Sequence, residues 1–264
     1  MKKSLLLILL FLGAQVLATC MALLAVNMPN LIAGAGLDET LLLDNPHISL
    51  YTLLIVDFLV IGLLALTKVC RREAFVRRIR LSQREVVVGL CAFFLLVLGT
   101  SFSLALTPLP DGGSTALFSS VKGDWLCLLL LCVVGPLTEE IIFREGILRS
   151  LIQSNWHPMV AVAVSAAAFA LVHGNLAQII PALILGIALG LFYLRTGNLW
   201  FCTVAHVLNN SVAVLSLHWP ETESWMQDMS SLSLGICALL TFGAGAFLLH
   251  KWWGMKTLPQ TNEA

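Results

Sequence analysis

Charge is scarce in this chain: charged residues make up 11% of its 264 positions, against 58% hydrophobic ones. A soluble domain of this length carries about a quarter charged residues to stay wetted, so an ordinary globular protein is excluded. The 15 Lys and Arg balance 15 Asp and Glu, giving zero net charge, and no nucleic-acid partner is expected. No Cys-x-x-Cys pair occurs: Cys20, Cys70, Cys91, Cys127, Cys132, Cys202 and Cys237 are scattered singly. They read as small buried hydrophobes, which excludes a disulfide framework and a thiolate metal site. Neither a Gly-x-Ser-x-Gly turn nor a His-Glu-x-x-His helix is present, and Asp57 is the one aspartate inside an apolar run. Serine, zincin-helix and paired-aspartate chemistries therefore have no setting. No repeat or low-complexity stretch divides the chain, so residues 1–264 read as a single integral-membrane domain.

What fills the sequence is apolar runs of membrane-spanning length, about 17–25 residues. They fall at Leu5–Val26, Leu50–Thr67, Val86–Leu106, Trp125–Phe143, Met159–Val172, Ile179–Leu194, Leu199–Leu217 and Leu232–Leu249. The expected fold is all-α, a polytopic bundle of about eight transmembrane helices in the lipid bilayer. With the N-terminus inside, Lys122 is the one Lys or Arg left outside, and that bias places both termini in the cytoplasm. The basic stretch Lys68–Arg84 reads as a topology anchor, with anionic lipid headgroups as the alternative ligand. Its Phe75, Val76, Ile79 and Leu81 suit a short interfacial helix. Lys2-Lys3 and Leu17-Ala18-Thr19-Cys20 resemble a cleavable signal, but the apolar run continues to Val26, which favours an uncleaved first helix. The loops Asn27–Ser49 and His218–Ser231 are too short to be domains.

Against this background three polar motifs stand out in order. They are Glu139-Glu140-Ile141-Ile142-Phe143-Arg144, Phe169-Ala170-Leu171-Val172-His173, and His206-Val207-Leu208-Asn209-Asn210. An ionisable group near the middle of a membrane helix costs roughly 2.5–3.5 kcal/mol on insertion scales, so a cluster of them marks a functional site. At about 100° per residue, Glu139 and Glu140 cannot share a face, whereas Glu140 and Arg144 at i, i+4 do, in the favourable order for a pair. Glu139 is left facing elsewhere. A desolvated carboxylic acid holds its proton closer to neutral pH, which suits a general base acting on water. The plainer reading is that Glu139–Arg149 is an ordinary charged helix end emerging into the cytoplasm, and Glu145 with Arg149 at i, i+4 fits it. His173 alone reads as a hydrogen-bonded structural residue. His206 shares a face with Asn210, and together they can hold a water, donate to an oxyanion or bind a metal. Asn209 reads as an interhelical hydrogen-bonding residue, and Phe169 as a wall of the site or as helix packing.

In this order the set Glu-Glu-x-x-x-Arg, Phe-x-x-x-His and His-x-x-x-Asn resembles the signature of the CAAX-processing and bacteriocin-processing intramembrane proteases, the abortive-infection family that includes the Ras-converting enzyme. The resemblance covers roughly Trp125–Leu217, a catalytic core written as residues 125–217. It implies an endopeptidase that cleaves inside or beside the membrane. By position, Glu139 activates water with help from His173, Glu140 pairs with Arg144, and His206 with Asn210 stabilises the oxyanion. A zinc ion held by Glu139, His173 and His206, or metal-free activation by the same residues, are both consistent with it.

Depth sets a further expectation. His173 lies some 22 Å along the fifth run and His206 about 10 Å along the seventh, so tilt or a shifted helix start must bring them into one cavity on the cytoplasmic half. Asp57 is expected to pair with a polar side chain of a neighbouring helix. Two other function classes remain open: a non-catalytic scaffold or bacteriocin-immunity protein, and a proton-coupled transporter, although no repeated half supports the latter. The expected partner is a peptide or membrane-protein substrate, and the expected place a bacterial inner membrane.

Overall fold

The computed structural model describes residues 2–66, 81–107, 109–110, 113–216 and 225–255. Residues 67–80 of the basic stretch, with its expected interfacial helix, and residues 218–224 of the last loop lie outside them. All described secondary structure is helical: α1 (Lys2–Ile32), α2 (Thr40–Asp44), α3 (Pro46–Leu66), α4 (Gln83–Leu106), α5 (Ser114–Val121), α6 (Trp125–Gln153), α7 (Pro158–Leu171), α8 (Leu176–Thr196), α9 (Leu199–Ser216) and α10 (Ser231–Gly254). The short α2 and α5 occupy loops in which the apolar pattern gave no signal.

Each of the eight apolar runs forms a helix, but seven are long and apolar enough to cross a bilayer. The exception is α7, whose 14 residues rise about 21 Å, short of a hydrocarbon core of about 30 Å. The chain reverses over Val172–Asn175, where Gly174 takes φ 75° and the Asn175 side chain accepts the Gln178 N–H at 2.9 Å, capping α8. The two helices then pack through small residues: a Cβ on Gly186 would lie 3.1 Å from the Ala166 Cα, and one on Gly190 3.0 Å from Val162. Without a hydrophobic drive between helices in lipid, such close backbone approach supplies the dispersion contact. On the other side of the bundle α10 lies along α4, with Gly245 3.0 Å from the Leu96 backbone by the same measure.

The central helix α6 is not a uniform α-helix. Two π-helical stretches, Leu130–Val134 and Ile141–Leu148, bracket the α-helical Gly135–Glu140. Pro136 has no N–H and its ring crowds the carbonyl four residues earlier, so a wider turn before it accommodates the break. Such π turns concentrate at functional sites. The whole segment Ile141–Leu148 is buried, including Arg144 and Glu145 at 0% exposure. The reading of Glu139–Arg149 as an emergent charged helix end is thereby overturned: α1, α7 and α8 cover it.

Two polar anchors tie the helix ends. At one, Glu85 completes a capping box with Ser82 at the start of α4 and receives Arg195 of α8 at 2.7 Å. Arg195 also donates to the Trp252 and Met255 carbonyls and lies 4.1 Å over the Trp252 ring, so α4, α8 and α10 meet there. At the other, Asp124 caps α6 through the Leu126 and Cys127 N–H groups and accepts from Tyr51 and His47 of α3. The Tyr51 hydroxyl above all, with His47 and the two backbone donors, outweighs partial burial and holds the Asp124 carboxyl at about 2, below its usual 3.8. A depressed folded-state value contributes stability that is present above pH 3.8 and lost as pH falls toward 2. Fluorescence melts of the detergent-solubilised protein should show this acid loss in wild type and a flatter profile in Asp124→Asn. Asp124→Ala, which also removes the cap, should melt lowest of the three at neutral pH.

Candidate active site

The site is built around a carboxylate that water does not reach. Glu140, on the middle segment of α6, is fully buried; its Oε2 stands 3.1 Å from Arg144 Nε one turn on, and its Oε1 accepts from His206 Nδ1 of α9 at 3.0 Å. The Arg144 contact is an ion pair whose angle falls short of a hydrogen bond, and the other guanidinium nitrogens find no acceptor among the described residues. Phe169 of α7 takes up that face, with the Arg144 Cζ 4.8 Å from its ring centroid. Because a carboxylate only accepts, Nδ1 of His206 carries the proton and Nε2 becomes the working atom. That atom points toward Glu139, 3.6 Å from its Oε2. This separation is slightly longer than a direct hydrogen bond.

Phe169 is the pivot of the cluster. Its ring lies 4.9 Å from His173, 5.7 Å from His206 and 5.3 Å from Phe143, all edge-on, and Phe11 of α1 backs Phe143 at 5.6 Å. The depth mismatch expected between the fifth and seventh runs is resolved here: α7 is short, and His173 sits just past its end, not within a full span. Its Nδ1 donates to the Phe169 carbonyl at 2.8 Å, which leaves Nε2 as an acceptor. Asn210 donates to the Leu131 carbonyl in the first π turn at 2.9 Å and accepts from Asn209 at 3.1 Å, so it joins α9 to α6.

A cavity of about 510 Å³ is lined by Glu139, His173, His206, Asn209 and Asn210 together. Glu140, grouped with the catalytic residues on its motif position, does not line it and is fully buried behind it. Glu139 is the one of the two glutamates with a partly exposed side chain, at 20%. Three lining residues escaped the motif reading. Asn209 faces the cavity as well as its neighbour, Gln178 enters from the start of α8, and Asp57 enters from α3. The intramembrane charge of Asp57 was the signal for it, but the expected polar partner is not found among the described residues.

Zinc would need three protein ligands and an open position. The 3.6 Å between Glu139 Oε2 and His206 Nε2 suits two ligands of one ion. Among the described residues, however, the one trio with ligand atoms within 4.8 Å is His47, Asp124 and Cys127 at the start of α6. His173 therefore does not close a three-ligand centre with Glu139 and His206 in this geometry.

These residues fall inside a recognisable segment. Residues 121–212 match the family model described as type II CAAX prenyl endopeptidase Rce1-like. This segment is thus similar to the family that the three motifs resemble. The chain is also 27% identical over 124 residues to YdiL of Bacillus subtilis (strain 168), a candidate membrane peptidase; the match takes in 47% of this chain and 50% of that one. The chain thus spans about half the length of that relative. No solved structure matches. The seven long apolar helices, with a segment similar to a membrane-peptidase family, make this a multi-pass membrane protein.

The buried ion pair gives a direct test of what holds the family motif in place. Removing one member of a buried pair costs about 3–5 kcal/mol because the other charge is left uncompensated. Arg144→Met should lower the melting temperature strongly. Adding Glu140→Gln, which still accepts from His206, should recover part of that loss; a double variant less stable than Arg144→Met would show that the pair does not work this way.

Proposed function

We propose that the protein is an intramembrane endopeptidase in which Glu139 activates the attacking water. The observation that carries this reading is the division of labour between adjacent glutamates: Glu140 is buried and tied to Arg144 and His206, while Glu139 faces the cavity beside His206 Nε2. In the proposed reaction Glu139 takes a proton from water as its oxygen attacks the peptide carbonyl. The His173 Nε2 acceptor orients that water. The oxyanion is met by the second amide hydrogen of Asn210, whose first is given to Leu131, and by His206 in the form that carries a proton on Nε2 as well as on Nδ1. Collapse of the tetrahedral intermediate breaks the C–N bond, and Glu139 returns its proton to the leaving amine. Preorganised donors of this kind act strongly in a water-poor site. A peptide or membrane-protein segment is the substrate, and a bacterial inner membrane with both termini cytoplasmic is the setting that the charge bias of the sequence supports.

Cleavage of a panel of fluorogenic peptides by the solubilised full-length protein tests this. Glu139→Gln should lower kcat by about 10²–10⁴-fold, the usual weight of a general base, and wild-type activity should persist in strong chelator. Loss in chelator with rescue by zinc would instead make Glu139 and His206 metal ligands. Full activity in Glu139→Gln would overturn the assignment.

A further inference from the structure

Asp57 stands apart from every other buried carboxylate among the described residues. Glu85 is paired with Arg195, Glu140 with Arg144 and His206, and Glu145 with Arg149. Asp57, in the middle of α3, is 6% exposed and has no hydrogen-bond or ion-pair partner among the described residues. It nevertheless opens onto the same cavity as Glu139, His173 and His206, and among the described residues no Lys or Arg lines that cavity. The walls between are largely apolar, with Phe11, Leu53, Val97, Leu104 and Phe118 among them.

The physics of such a pocket is one-sided. A carboxylate taken out of water without a partner is costly, and Coulomb interactions strengthen as the local dielectric falls. Two carboxylates set in apolar walls focus a negative potential into the space between them. An acidic group entering there is repelled and a neutral donor gains at most a hydrogen bond, whereas a cation both satisfies Asp57 and is held by its charge. Glu139 is committed to the 3.6 Å contact with His206, so Asp57 is the carboxylate left for a ligand.

We infer that Asp57 is a specificity subsite that binds a cationic group of the substrate, a lysine or arginine side chain or a free amine, next to the bond presented to Glu139. This rests on the peptidase reading above. It gives the N-terminal half of the chain a role in substrate choice, since α3 lies outside the family match at residues 121–212.

The test uses fluorogenic peptides matched except for lysine or norleucine, placed in turn at each position flanking the scissile bond. Wild type should prefer lysine at one position. In Asp57→Asn the lysine-to-norleucine ratio of kcat/KM should fall at least tenfold, and Asp57→Glu should retain the preference. A ratio unchanged in Asp57→Asn, or a wild type indifferent to lysine at every position, overturns the inference. Binding of the same peptides to the Glu139→Gln protein, read by fluorescence anisotropy, decides the matter independently of turnover. There the lysine peptide should bind at least tenfold more weakly once Asp57→Asn is added, and equal binding overturns the subsite. Failure of wild type to cleave any peptide would count against the peptidase reading, and the anisotropy ratio would still judge Asp57.

Discussion

The arrangement depends on one buried charge network, Glu140 between Arg144 and His206. Burial of a carboxylate and a guanidinium at 0% exposure is tolerable only where each compensates the other, since the desolvation of either ion alone amounts to several kcal/mol. That requirement fixes the phase of α6, because Glu140 and Arg144 must share a face that no lipid or water reaches. It also fixes α9, because His206 must approach Glu140 to 3.0 Å. Once both are set, the adjacent Glu139 is turned out of the network and into the cavity. The polar chemistry of the site is thus a consequence of where charge can be buried.

Irregular backbone does the remaining placement. A uniform 29-residue α-helix would give α6 one continuous ladder; the π turns on both sides of Gly135–Glu140 interrupt it where the glutamates lie. The Leu131 carbonyl in the first π turn receives Asn210, and the Phe143 carbonyl in the second receives Ser165 of α7 at 2.7 Å. Both neighbouring helices are therefore pinned to the wide turns. The shortness of α7 has the same effect on the second motif: it brings a non-helical turn, and His173 with it, to the cavity. Irregular backbone at membrane depth is tolerated where it is packed in protein or lines a polar space, which is the situation of Val172–Asn175.

Much of this was legible in the sequence because its signals are local. Apolar runs gave the helices, and i, i+4 spacing gave the Glu140–Arg144 pair. What periodicity could not give was the π geometry, since a constant 100° per residue presumes an unbroken α-helix; Pro136 was the one available hint. The same presumption left Glu145 and Arg149 looking like an exposed pair, when Glu145 in fact lies fully buried and accepts from Tyr193 of α8. Partnerships between distant segments, such as Asp124 with Tyr51 or Glu85 with Arg195, have no signature in either strand of text that contributes to them. Asp57 was visible as an intramembrane charge, but its lack of a partner is a property of the folded bundle.

That lack bears on how the polar groups are distributed. Apart from the Arg144 guanidinium, the Glu140 Oε2 and the Trp252 indole, fully enclosed side-chain N and O atoms among the described residues have hydrogen-bond partners, as low-dielectric surroundings demand; Asp57, which opens onto the cavity, is the further exception. The Glu140 Oε2 and Arg144 face each other, and Phe169 covers the rest of the guanidinium, so this exception is compensated electrostatically. The carboxylates on the cavity wall are Glu139, whose contact with His206 is a long 3.6 Å, and Asp57, which has no partner among the described residues. A bundle selected only for stability would not keep two acidic side chains there, because apolar residues of similar volume would pack without the desolvation cost. Local rules are broken where a site does chemistry or binds a ligand, and here the breaks fall together, on one cavity, from helices on either side of it.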